Sequence, residues 1–288
     1  MLNLENEHLK LSLSTLGAEL QHITGSDSNA EYLWSGDPKY WGKFSPVLFP
    51  IVGGLKQDMY YYKGKTYQMP RHGFARTLDF QYEQLAPNAI LFTLKDSPET
   101  LAQYPFPFRL EITYTLDKAS IYCQYRVYNA GDETMYFSLG AHPAFAAPLN
   151  GEGKYNDYYL QFKGLDELNF YDVVDNLVSD TQQTIKLKNQ RLYLNYNLFK
   201  NDALVFKNFP VSSLYLMNEK NYNGIEFSFP DFPYFGIWAA LNADFVCLEP
   251  WCGIADTINH NQDITTKEGI IQLEPQRNWQ RRWKITCF

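Results

Sequence analysis

Two histidines and one glutamate sit where strand-like runs give way to turns, positions from which side chains can project into a groove. Arg71-His72-Gly73-Phe74-Ala75-Arg76 follows a tyrosine-rich, hairpin-like stretch. Gly140-Ala141-His142-Pro143-Ala144-Phe145 ends one strand-like run, and Leu248-Glu249-Pro250-Trp251-Cys252-Gly253 ends another. The neighbours of these three residues are mostly small or aromatic. A carboxylate in apolar company is costly unless it is paired, and imidazole changes charge near neutral pH. An acid and a base gathered on a β scaffold suffice to move protons on and off a sugar.

The remaining histidines carry less. His8 and His22 belong to strand-like stretches and are expected to face solvent, and His260 lies in the polar run Asn259-His260-Asn261-Gln262. Cys123, Cys247, Cys252 and Cys287 are spread along the chain and read as free, buried thiols. Cys247, Cys252 and His260 fall short of the four convergent ligands of a structural zinc site, so no metal is expected.

The elements that must position these residues are strands. Leu9 to Ser14, Leu110 to Leu116 and Ile121 to Tyr128 alternate apolar and polar residues, and Asp117-Lys118-Ala119-Ser120 joins the last two as a hairpin. Further strand-like runs cover residues 158–163, 192–196, 203–206, 213–217, 224–229, 235–240, 245–249 and 282–288. Helix signals are brief: Asp37-Pro38 and Ser97-Pro98 each pair an N-cap residue with a proline in the first turn. Many strands with very few short helices predict an all-β fold, a large antiparallel β-sandwich. No linker or composition shift interrupts residues 1–288, so one domain is expected.

Composition narrows the function. A hydrophobic content of 45% allows a sizeable core, and a charged content of 20% excludes a disordered tail. Aromatic residues at 17% suit both cross-strand packing and contact with sugar C–H faces. A net charge of −7, with no basic stripe, argues against nucleic-acid binding. No window reaches 18 uncharged apolar residues and the N-terminus has no leader pattern, so no membrane span and a cytoplasmic location are expected.

The segments Leu48-Phe49-Pro50-Ile51-Val52-Gly53, His72-Gly73-Phe74-Ala75-Arg76, Gly140-Ala141-His142-Pro143 and Cys247 to Asp256, in that order, resemble the aldose 1-epimerase or galactose-mutarotase-like family. The likeness is closest to the branch encoded beside lactose or hexose-phosphate genes, and it spans nearly the whole chain. It implies a galactose-mutarotase-like sandwich that interconverts the α and β anomers of an aldohexose without a cofactor. On that resemblance Glu249 matches the general base, His142 the general acid and His72 a second histidine beside the ring oxygen. Asp231, in Phe229-Pro230-Asp231-Phe232-Pro233, is the candidate for the family aspartate at the sugar hydroxyls, with a turn-shaping role as the competing explanation. Trp251 is a candidate sugar platform.

Many relatives carry an arginine where this chain has Gly54, and Arg76 or Lys56 is expected to supply the missing cation. The expected partner is therefore a hexose or a hexose phosphate. Two rival functions remain at this level. A non-catalytic sugar-binding protein would use the same cleft without proton transfer. A glycosidase would need two carboxyl groups, such as Asp231 and Glu249, but would leave the histidines without a role.

Overall fold

The computed structural model describes residues 1–151, 153–220 and 223–288. Two large antiparallel sheets, of nine and eight strands among the described residues, form a β-sandwich around an apolar core, with smaller ribbons at the margins. The hairpin of Phe108–Asp117 and Ser120–Asn129 lies within the nine-stranded sheet and turns through Lys118 and Ala119. Burial alternates along both strands, because successive side chains point to opposite faces and only one face meets the other sheet. Asn278–Cys287 pairs beside this hairpin. It brings in Trp283, whose fully buried indole N–H donates to the Tyr125 hydroxyl at 2.9 Å. An aromatic ring so enclosed contributes about 3–5 kcal/mol.

The eight-stranded sheet carries the chemistry. Its order is Leu177–Lys186, Glu167–Val174, Leu204–Lys207, Tyr234–Trp238, Phe245–Cys252, Leu139–Ala141 and Val47–Leu48, and Ala144–Ala146 is a further partner of Phe245–Cys252. Phe245–Cys252 is buried at every position. The main core covers one face. A smaller cluster that includes Leu48, Val178, Val205 and Trp251 covers part of the other.

The two helix signals fare differently. Ser97 caps a helix at Pro98–Gln103, with its hydroxyl accepting from Thr100 N and its own N–H donating to Thr100 Oγ1 at 2.8 Å. Asp37 instead shapes a single turn. Its side chain accepts from Lys39 N at 2.9 Å and its carbonyl from Trp41 N at 3.0 Å, and Gly42 follows before a second turn can form. Among the described residues no helix is long and apolar enough to cross a membrane.

Candidate active site

The register of the central strand explains the first contact. Gly140 lies opposite Trp251 and Ala144 opposite Cys247, so one register runs through both short strands and sets His142 across from Glu249. Pro143 interrupts the ladder between those strands, but its carbonyl still accepts from Leu248 N at 3.1 Å. Nε2 of His142 lies 3.2 Å from Oε2 of Glu249, with side-chain exposures of 8% and 2%. The distance alone would suit an ion pair. Burial works against it, lowering His142 from 6.5 to about 3 and raising Glu249 well above the usual carboxylate range. The Asp202 carboxylate adds to the rise at Glu249, while Arg71 opposes it. Burial therefore favours a neutral acid and a neutral imidazole across this 3.2 Å contact, not the imidazolium that a carboxylate neighbour would favour in water.

Trp41 stacks on the His142 ring at 4.9 Å, and Trp238 meets it edge-on at 5.9 Å. His72 lies 5.6 Å from it, ring centroid to centroid and nearly perpendicular. The His72 backbone adopts φ 69°, an uncommon conformation outside glycine. Gly53 holds it there twice: its carbonyl accepts His72 N at 2.8 Å, and its N–H donates to His72 Nδ1 at 3.1 Å. A neutral imidazole accepts at one nitrogen only, so two donors compete for the one acceptor of His72. The second donor is Arg71 Nε, which reaches His72 Nε2 at 3.3 Å from a partly exposed side chain. Burial, then His142 and the two arginines, hold His72 well below its ordinary range, so it stays neutral.

These groups line a cavity of about 310 Å³, large enough for one small ligand. His72, Arg76, His142, Glu249 and Trp251 all face it. The Trp251 indole lies over two glycines: a Cβ on Gly140 would stand 2.5 Å from Cδ1, and one on Gly236 2.4 Å from Cζ2. Any side chain there would lift the ring into the cavity.

Two expected residues lie elsewhere. Asp231 sits in the turn before Tyr234–Trp238 with φ 66°, and its carbonyl accepts from Arg281 Nε at 3.0 Å. It lies beside the nine-stranded sheet and does not border the cavity. Lys56 points toward the 256–262 segment, where Nζ donates to the Ile258 carbonyl at 3.3 Å. His260 is also more enclosed than its polar loop suggested, lying 3.3 Å from the buried Asp256 that pairs with Lys267 at 2.7 Å.

Four wall residues were missed as site residues or unassigned: Asp202, Asn176, Trp41 and Trp238. Arg71 also borders the cavity, so Arg71 and Arg76 are the cations that converge there. Asp202 immediately precedes Leu204–Lys207 after one intervening alanine, and its Oδ2 is 3.6 Å from Arg71 Nη1. In linear sequence it is one more turn aspartate, indistinguishable from Asp231.

For a metal ion, His142, Cys247 and Glu249 offer ligand atoms within 4.8 Å of one another. Cys247 does not border the cavity, however, and burial raises its thiol well above its ordinary range. A metal would have to displace the proton from that thiol as well as the one on Glu249.

The sandwich, the cavity on the face of its eight-stranded sheet and the paired acid and imidazole define an aldose-epimerase-like protein. The chain belongs to the aldose 1-epimerase family, whose model matches residues 1–272. It is 34% identical to the plasmid-borne protein LacX of Lactococcus lactis subsp. lactis, over 100% of this chain and 99% of that one. Among solved structures it resembles a galactose mutarotase related enzyme from Lactobacillus acidophilus at 34% identity and a TM-score of 0.94, covering 100% and 97% of the two chains. A galactose mutarotase-like protein from Lactobacillus casei ATCC 334 is 31% identical with a TM-score of 0.91, each chain being covered in full.

Proposed function

We propose that this protein is a mutarotase, opening the hemiacetal ring of an aldohexose and reclosing it on the other face. The observation that supports this reading is the direct contact between His142 and Glu249. O1 and O5 of a pyranose are bonded to the same carbon, so the group that takes the O1 proton and the group that protonates O5 must be neighbours.

The neutral pair holds the proton the reaction needs. Transfer from Glu249 to His142 across their 3.2 Å contact creates a carboxylate base and an imidazolium acid together. Glu249 then accepts the O1 proton while His142 donates to O5, breaking C1–O5 and leaving an aldehyde and a neutral pair. Rotation about C1–C2 presents the other face. Reclosure moves each proton back, so nothing is consumed. His72, beside the pair in the same cavity, is a polar partner for the ring oxygen or a neighbouring hydroxyl. Trp251 provides an apolar surface for the sugar, and Arg71, Arg76 and Asp202 offer partners for its hydroxyls.

A positioned acid–base pair contributes roughly 10²–10⁴-fold per group. Glu249→Gln is therefore expected to bind sugar but lose at least about 100-fold in the rate of anomer interconversion. Polarimetry on freshly dissolved α-D-glucose and α-D-galactose, with and without chelator, reads this. Activity above about a tenth of wild type would reject the carboxylate as base. Sugar binding by a wild type that never speeds anomerisation would leave a lectin-like protein instead.

A further inference from the structure

One wall of the cavity is built by a hairpin. Glu167–Val174 and Leu177–Lys186 turn through Asp175 and Asn176, which have φ 50° and 66°. Two positive values in a two-residue loop are the signature of a type I′ turn. Val173, Asn176 and Val178 reach the cavity from this hairpin. At its tip, Asn176 Oδ1 accepts Nη1–H of Arg71 at 2.6 Å, and Asp202 Oδ2 lies 3.6 Å from the same nitrogen. Nη2 of Arg71 has no protein partner among the described residues, on a side chain that borders the cavity.

The tip is seated against Gly54. A Cβ at that position would stand 2.9 Å from the Asn176 carbonyl oxygen and 3.0 Å from its Cβ, too close for either to stay in place. Gly54 does not have positive φ, so its own backbone does not demand glycine. The neighbour does.

We propose that this hairpin sets the affinity of the site for its sugar. Asn176 is a positioning residue that aims the free edge of Arg71 at a hydroxyl oxygen of the bound aldose, and Gly54 is the notch that admits the tip. An arginine side chain is long and rotamer-rich, so an acceptor that fixes one nitrogen removes most of the freedom its other nitrogen would lose on binding. Asp202 offsets the guanidinium charge, so the exposed edge suits an uncharged hydroxyl. The inference rests on the mutarotase reading of the cavity.

Three variants test it. Asn176→Gly keeps the turn, because glycine adopts positive φ readily, and deletes only the carboxamide. Asn176→Asp restores an acceptor oxygen. Gly54→Ala displaces the tip from the other side. KM and kcat come from polarimetry with the aldose that wild type converts fastest, and Kd for the same sugar from calorimetry.

Asn176→Gly and Gly54→Ala are expected to raise KM and Kd roughly 5–20-fold, as loss of one well-placed hydrogen bond to a charged group would. Their kcat should stay within about two-fold of wild type, because the proton-transferring pair is untouched. Asn176→Asp should recover most of the affinity. The double variant should be no weaker than the weaker single, since both break one contact. Wild-type KM and Kd in Asn176→Gly, or a fall in kcat at unchanged KM, would overturn the proposal. If wild type binds an aldose without converting it, the mutarotase reading fails and the Kd series still decides on the hairpin. A wild type that neither binds nor converts an aldose sinks both.

Discussion

At the Glu249–His142 contact two buried groups have opposite effects on stability against pH. His142 titrates at about 3 when folded against 6.5 as a free group, so the unfolded chain binds more protons between those values. Its contribution is complete above pH 6.5 and is lost as pH falls toward 3. Glu249 is raised above 4.5, so its contribution is complete below that pH and is lost as pH rises through its folded value. Glu249→Gln removes the second effect. Urea denaturation should find this variant more stable than wild type at pH 7–8, with the advantage shrinking toward pH 4.5. A variant less stable than wild type at pH 8 would show that the carboxylate is held by something other than a neutral neighbour. The sequence exposed this pair because both residues stand in apolar surroundings beside prolines. It did not expose Asp202, whose place depends on which strand its turn abuts.

Among the elements, legibility followed solvent. The strands of the 108–129 hairpin each have one wet face and alternate visibly. Phe245–Cys252 is dry on both faces, and Leu177–Lys186 is mostly exposed over its second half, so neither shows a clean period of two. That is why the 167–186 hairpin, and with it Asn176, escaped notice. Its turn residues are favourable for the turn they make, but no apolar alternation flanked them to draw attention. The Ser97-Pro98 signal succeeded where Asp37-Pro38 failed because Thr100 completes a reciprocal cap, whereas Gly42 follows the single turn at Asp37. Ser97→Ala should cost about 1 kcal/mol of stability and leave sugar turnover unchanged, which a denaturant titration beside the activity assay would check. Altered turnover would mean that this helix communicates with the cavity.

At the scale of the whole molecule, the core contains side chains from both large sheets. The candidate site is assembled from residues as far apart in the chain as Trp41 and Ala255. Long-range pairing of this kind cannot be read from local patterns, and only the order of the matching segments anticipated it. We propose that residues 1–288 form one folding unit. Calorimetry should then give a single transition, with catalytic activity disappearing over the same temperature range. Activity lost in an earlier, separate step would place the site on a less stable subdomain.

Half of the indoles in this chain, Trp41, Trp238 and Trp251 out of six, surround the cavity. Trp41 lies flat against the ring expected to carry the transferred proton. Ultraviolet emission from the unlabelled protein therefore reports in good part on the surroundings of this cavity. A ligand entering the cavity would change the surroundings of all three rings at once, which gives the protein an intrinsic optical reporter of occupancy without an introduced probe.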